Sequence, residues 1–260
     1  MHDRRKPEIK RVPALDKCFA ILELLSRSDQ PLGISDISKS LNLNKSTVFN
    51  TVHALEDLQV LEQRPAGKFE FGTLLYVLGK AAGRKAELIR TVRPYLEEIS
   101  RESNFSAFLG VRWGRGGKAV IVDKVDAAVD IKVSSEIGMR LPLSAGAGGK
   151  ALLAQLPDPE LDKFFFAKGL RKFTRYTCVD ERQFREDLLR IREGAVALDM
   201  EEYIEGIVAA AIPVKTHKED VQAAIWAAGL KRPESGTDIL KLSVLLKRIA
   251  AELDIRFGHV

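Results

Sequence analysis

Three sets of residues have the types and spacing to suggest chemistry. Gly146-Ala147-Gly148-Gly149-Lys150 resembles the backbone cradle and lysine of a phosphate loop. The full pattern needs glycine where Ser144 stands and Ser or Thr where Ala151 stands, and both positions fail. These glycines then read as places where the backbone approaches a ligand or packs closely at a helix start. Asp199, Glu201 and Glu202 are spaced like acid/base carboxylates, but no His, Cys or Lys beside them in sequence completes a mechanism. Asp199 remains a candidate ligand contact, while the two glutamates read as turn-capping, solvated groups. Lys45-Ser46-Thr47, with Asn50 one turn on, sets basic and small polar side chains at the start of a helix, where they suit phosphates and base edges. Asparagine at such a position can bond adenine N6 and N7; the plain alternative is an exposed helix face. His2, His53, His217, His259, Cys18 and Cys178 match neither metal nor disulfide spacing. No metal and no cofactor is expected, and both thiols are expected to be buried.

These groups need elements to hold them. Leu15, Cys18, Phe19, Leu22 and Leu25 recur at helical spacing and predict a helix over 14–27 with that stripe buried. After the turn at 30–33, Ser35 is the expected cap of a short helix whose Ile34, Ile37 and Leu41 point inward. Asn42, a residue that tolerates left-handed backbone, turns the chain through Leu43 and Asn44 into a helix over 45–55. Val48, Val52, Leu55 and Leu58 form its apolar stripe. Residues 60–64, 65–67 and 68–72 read as strand, tight turn and strand. Two short helices joined by a turn and followed by a hairpin make a winged helix-turn-helix, with the second helix in the major groove. Arg64 and Lys68 of the hairpin, and Arg4, Arg5 and Arg11 of the N-terminal arm, then supply salt-sensitive backbone or minor-groove contacts, while His53 packs.

Residues 73–82 and 88–103 carry further helical stripes, with Pro94 starting or kinking the second piece. An apolar linker helix beside a small DNA-binding unit needs cover. A twofold dimer on a palindromic DNA operator supplies it, so a homodimer or a dimer of dimers is expected. Further on, strands are expected at 108–111, 119–125 and 131–133, helices at 147–156, 159–167 and 181–193, the last capped by Asp180. Strands at 207–214 and 221–228 and a final helix over 237–255 complete a pattern of helices on a largely antiparallel sheet. The fold class is α+β: residues 1–72 a winged helix-turn-helix, 73–103 linker helices, and 104–260 a domain for ligand binding and oligomerisation.

Composition sets wide bounds. The 260 residues exceed one ordinary core, and 45% hydrophobic with 30% charged residues suits two globular domains. The net charge of +5 permits nucleic-acid binding but is thinly spread. Residues 1–11 hold roughly +3 and residues 12–72 are near balance, so the helix pattern rather than charge points to DNA. No stretch approaches the ~18 apolar residues of a membrane span and the first residues lack a signal-peptide core, so no membrane and a cytoplasmic location are expected.

Three segments together resemble the IclR family of transcriptional regulators. They are Ser46-Thr47-Val48; Pro142-Leu143-Ser144-Ala145-Gly146-Ala147-Gly148-Gly149-Lys150-Ala151-Leu152-Leu153-Ala154; and Asp199-Met200-Glu201-Glu202 followed by Gly206 and Ala210-Ala211-Ile212-Pro213-Val214. The resemblance implies a winged-helix domain, a linker helix and a C-terminal GAF-like α/β effector-binding domain, acting as dimers or dimers of dimers near catabolic genes. Organic or aromatic acids are the effectors it implies. It places such an effector at Leu141, Ala147, Gly148, Asp199, Ile207, Ala209, Trp226 and Ala228.

Two departures matter. Members that bind small oxo-acids offer cysteine and serine where Ala209, Trp226 and Ala228 stand, so a more apolar pocket is expected, with Asp199 as its main polar group. An aromatic or bulkier compound fits such a pocket, unless Trp226 fills it. Many members carry arginine where Asn50 stands, so a different half-site is expected. The whole points to a non-enzymatic regulator whose operator binding responds to a small-molecule effector. A constitutive DNA-binding dimer and an enzyme carrying a DNA-binding domain are the competing readings.

Overall fold

The computed structural model describes residues 12–81, 84–114, 117–216 and 221–258. The chain divides into two units, 1–84 and 85–260. Arg4, Arg5, Arg11, His2, His217 and His259 lie outside the described residues.

The first unit runs α1 (Pro13–Leu25), β1 (Leu32–Gly33), α2 (Ile34–Leu41), α3 (Lys45–Asp57), β2 (Leu61–Arg64), β3 (Lys68–Phe71) and α4 (Thr73–Ala81). Its sheet is antiparallel in the order β1-β3-β2. Ile21, Leu25, Ile37, Val48, Val52, Leu55, Leu61 and Phe69 form the core. Two expectations are corrected. α1 is apolar on more than one side, and the side that turns inward carries Ile21 and Leu25, leaving Leu15 and Phe19 56% and 61% exposed. α2 is capped at Gly33 rather than Ser35: the chain pairs as β1 up to Gly33, and the Asp36 carboxylate accepts the Gly33 N–H at 3.0 Å. Asn42 does adopt the left-handed conformation, φ 51° and ψ 45°, that lets the chain reverse from α2 into α3.

The second unit runs α5 (Arg84–Ser103), β4 (Ser106–Trp113), β5 (Lys118–Val125), β6 (Arg140–Pro142), α6 (Ala147–Leu153), α7 (Asp158–Lys168), α8 (Glu181–Arg192), β7 (Ala197–Met200), β8 (Ile207–Val214), β9 (Ala223–Leu230) and α9 (Ser235–Arg256). The strands form one antiparallel sheet, ordered β6-β5-β4-β9-β8-β7. Both faces are covered, which is why β8 and β9 are near-continuous apolar runs and not alternating ones. Along β9, Ala223, Ile225 and Ala227 face the core shared with α5 and α9. Ala224, Trp226 and Ala228 face the one shared with α6, α7 and α8. The Asp180 Oδ1 accepts the Gln183 N–H at 2.9 Å and caps α8.

Several details differ from expectation. α5 begins ten residues before Pro94 and continues through it. Its stripe of Leu88, Val92, Leu96 and Ile99 is buried within its own chain, against the sheet and α9, and needs no second protomer. On α4, by contrast, Tyr76, Val77 and Leu78 are exposed. Residues 131–133 form no strand: Ile131 is exposed, and the place beside β5 is taken by β6. Asp199 sits on β7. Both cysteines are half-buried.

Candidate functional site

The start of α3 is the candidate DNA-reading face. Val48, Val52 and Leu55 turn into the core, which leaves Lys45, Ser46 and Asn50 exposed on the opposite side. Thr47 is half-buried and less available than its neighbours. Phe49, absent from the expected set, is also exposed. Its ring lies tilted against His53 with centroids 4.4 Å apart, and His53 meets Phe69 edge-on and hydrogen-bonds Glu56 at 2.8 Å, so His53 is engaged in packing. In the wing, Arg64 and Lys68 are cross-strand partners. Glu70 takes the Arg64 guanidinium at 2.7 Å, so Arg64 must exchange that carboxylate for a phosphate to touch DNA, whereas Lys68 is exposed.

In the second unit a cavity of about 80 Å³ lies between α6 and the sheet. Leu141, Ala147, Gly148, Asp199, Ile207, Ala209, Trp226 and Ala228 all line it, so the structure brings together every expected effector residue. Phe108, Val133, Ser135, Tyr203 and Ile204 also line it, although sequence reasoning missed them. Phe108 lies opposite Trp226 across β4 and β9, a relation visible only once the strands are paired.

Trp226 both packs and lines. It is 5% exposed and stacks on Phe108 with centroids 5.7 Å apart. A methyl group at Gly110 would sit 2.5 Å from the ring and one at Gly148 2.8 Å from it, so the two glycines are what make room for the indole.

Asp199 is 4% exposed, and its Oδ1 accepts the Glu202 N–H at 2.6 Å. Burial pushes its carboxyl up to about 6; the Glu202 N–H and the Lys150 ammonium act in the opposite direction but do not cancel this. Glu201 and Glu202 are not solvated caps. Glu201 is buried, pairs with Lys231, which holds its carboxyl below the usual range, and accepts the Gly206 N–H at 3.0 Å. Glu202 pairs at 2.6 Å with Lys150, whose Nζ also donates to the Leu198 carbonyl at 3.0 Å. Thr174 and Thr177 donate to the carbonyls of Glu201 and Glu202 at 2.7 and 2.6 Å. Lys150 is thereby fixed below the cavity wall and is not a phosphate-loop lysine.

A larger groove, about 490 Å³, lies beside β8 and α9, but its Lys215 and Arg192 are engaged by Asp254 and Asp158. Among the described residues no cluster of His, Cys, Asp or Glu is placed to hold a metal, and no helix is long and apolar enough to cross a membrane.

Comparison with known proteins accords with both halves. Residues 14–65 match the IclR helix-turn-helix domain and residues 80–254 match the bacterial transcriptional regulator IclR C-terminal domain. The transcriptional regulator XynR of Escherichia coli K12 is 28% identical over 249 residues, covering 95% of this chain and 98% of its own. The crystal structure of Thermotoga maritima IclR aligns with a TM-score of 0.74 at 25% identity, covering 95% of this chain and 99% of that one. An IclR homologue from Microbacterium hydrocarbonoxydans, solved as a complex with 4-hydroxybenzoate, aligns with a TM-score of 0.72 at 20% identity over 92% of this chain and 99% of its own. With a helix-turn-helix at its N-terminus and a curled α/β domain behind it, the chain belongs to the IclR family of DNA-binding transcriptional regulators.

Proposed function

We propose that this regulator's operator binding is modulated by a small organic acid, aromatic or of similar bulk, held in the cavity between α6 and the sheet. The observation that carries the reading is a buried carboxylate, Asp199, on the wall of a mainly apolar cavity. A buried charge with no cation bonded to it is costly, and it is retained where it has something to bind. The complex of a homologue with 4-hydroxybenzoate supports the ligand class. The domain binds and does not turn its ligand over. Lys45, Ser46, Thr47 and Asn50 read the DNA, and Arg64 and Lys68 hold its backbone, in a homodimer or dimer of dimers on a palindromic site. Effector binding favours one of two arrangements of that assembly, and the continuous chain through α4 and α5 conveys the choice to the recognition helices.

The test uses the full-length protein and the DNA upstream of its own coding region, across a salt series, with and without a panel of aromatic and aliphatic acids. Competitor-resistant binding that one acid changes is the expected result. Binding no stronger than to random DNA, or unmoved by every acid, would count against it.

A further inference from the structure

The effector cavity abuts a second one of about 140 Å³, and Val133 and Ala228 line both. Strand register explains the adjacency. Asp199 lies opposite Ala209, Ala209 opposite Ala228, and Ala228 opposite Ser106. These four make one row across β7, β8, β9 and β4, with their side chains on the same face of the sheet. The row ends in two buried polar groups, Asp199 and Ser106, which are 4% and 1% exposed, and its middle is two alanines. Small side chains between polar ends leave a trough. Three strand spacings set its ends about 14 Å apart at Cα. A ligand hydrogen-bonded at both ends would then carry its own polar atoms about 9 Å apart.

The two ends differ in charge. The inner cavity is lined by Asp199 and by no Lys or Arg among the described residues. The outer one is lined by Lys132 and Arg232, both exposed, against one carboxylate, Asp238. The Ser106 hydroxyl accepts the Ala127 N–H at 3.0 Å and donates to no described residue, so its hydrogen is available to a ligand acceptor. Size points the same way. A benzene ring occupies a cavity of about 150 Å³ in an engineered protein core, so a substituted ring seated in the inner cavity of about 80 Å³ reaches into the adjoining one of about 140 Å³.

Resting on the ligand-responsive reading above, we propose that the effector is an elongated monoanion spanning both cavities. Its hydrogen-bond donor meets Asp199, its apolar body lies over Ala209 and Ala228 against Trp226, and its carboxylate meets Ser106, Lys132 and Arg232. The outer cavity is the subsite that selects the acid.

Calorimetry on the full-length protein tests this with 4-hydroxycinnamate and three analogues. Cinnamate lacks the donor, 4-hydroxycinnamamide lacks the charge, and 4-hydroxybenzoate is shorter. 4-Hydroxycinnamate should bind tightest, with each analogue weaker by about tenfold or more. Replacing Lys132→Ala and Arg232→Ala together should weaken the acid by a similar factor and leave the amide unchanged; both side chains are exposed, so the fold is kept. Asp199→Ala should abolish the preference for 4-hydroxycinnamate over cinnamate. Equal binding of the long and short acids, a double substitution that weakens acid and amide by the same factor, or no binding of any of the four probes would overturn the inference. If operator binding still responds to another acid of the panel in those cases, the regulator reading survives alone; if it responds to none, both fall.

Discussion

At the scale of single residues, Asp199 and Trp226 set the character of the cavity. The Asp199 carboxyl titrates at about 6 in the folded chain and near 4 when unfolded, chiefly because burial penalises its charge. Below about pH 3 both states carry it largely protonated and it costs little. As pH rises toward 6 the unfolded chain releases the proton first, so the folded chain loses stability, by about 2–3 kcal/mol in full above that range. Asp199→Asn removes the charge and keeps an acceptor for the Glu202 N–H. Its unliganded form should therefore be more stable than the parent by about 2 kcal/mol at pH 8, with the gap closing toward pH 4. Urea unfolding at both pH values measures this, and a gap independent of pH would refute it. Gly148→Ala tests the seat of Trp226. The added methyl lands 2.8 Å from the indole, so the ring or α6 must move, at a cost of about 1–3 kcal/mol in thermal or urea unfolding and with loss of ligand binding. A variant with unchanged stability would mean that the ring is loosely held.

At the scale of elements, α6 is tied to the β7–β8 connection by one buried ion pair. Lys150→Met leaves Glu202 without its cation and should cost about 3–5 kcal/mol, whereas adding Glu202→Leu should recover most of the loss. Equal stability of the single and double variants would show that the pair is solvated. On α3, Lys45→Ala should weaken binding to all DNA and lower the salt slope by about one unit. Asn50→Ala should cost about 1–3 kcal/mol on the operator and relax discrimination at a single base pair, as a competition assay would read. These elements differ in how far the sequence announces them. The limits of β8 at 207–214 and the Asp180 cap of α8 are local signals, an apolar run and a carboxylate before a helix, and they stand as expected. β7 has four residues and becomes a strand only through pairing with β8, and β6 likewise through β5, so no local pattern marks either. Leu15 and Phe19 share helical spacing with true core positions, and spacing alone does not say which side of an apolar helix turns inward. The eight cavity residues came from likeness to a family. Phe108 and Tyr203 came from neither spacing nor likeness, because one depends on strand register and the other on how a loop is latched by Thr174 and Thr177.

At the scale of the whole molecule, the question is whether the two units are coupled. A dimer with a passive second domain and a ligand-responsive regulator share every element described above. They differ in one free energy. If the effector changes operator affinity by some factor, operator DNA must change effector affinity by the same factor, and couplings of this kind are commonly about 1–3 kcal/mol. Titrating the effector into the free protein and into its operator complex should therefore give dissociation constants that differ about 5- to 150-fold. Random DNA of equal length should give a smaller difference, because nonspecific contacts do not require the selected spacing of the recognition helices. The sign of the difference separates release from recruitment: weaker effector binding on the operator makes the ligand an inducer that frees the DNA, and tighter binding makes it a co-regulator. Equal constants on free and operator-bound protein would mean that the cavity between α6 and the sheet does not communicate with α3, and the constitutive reading would then describe the molecule.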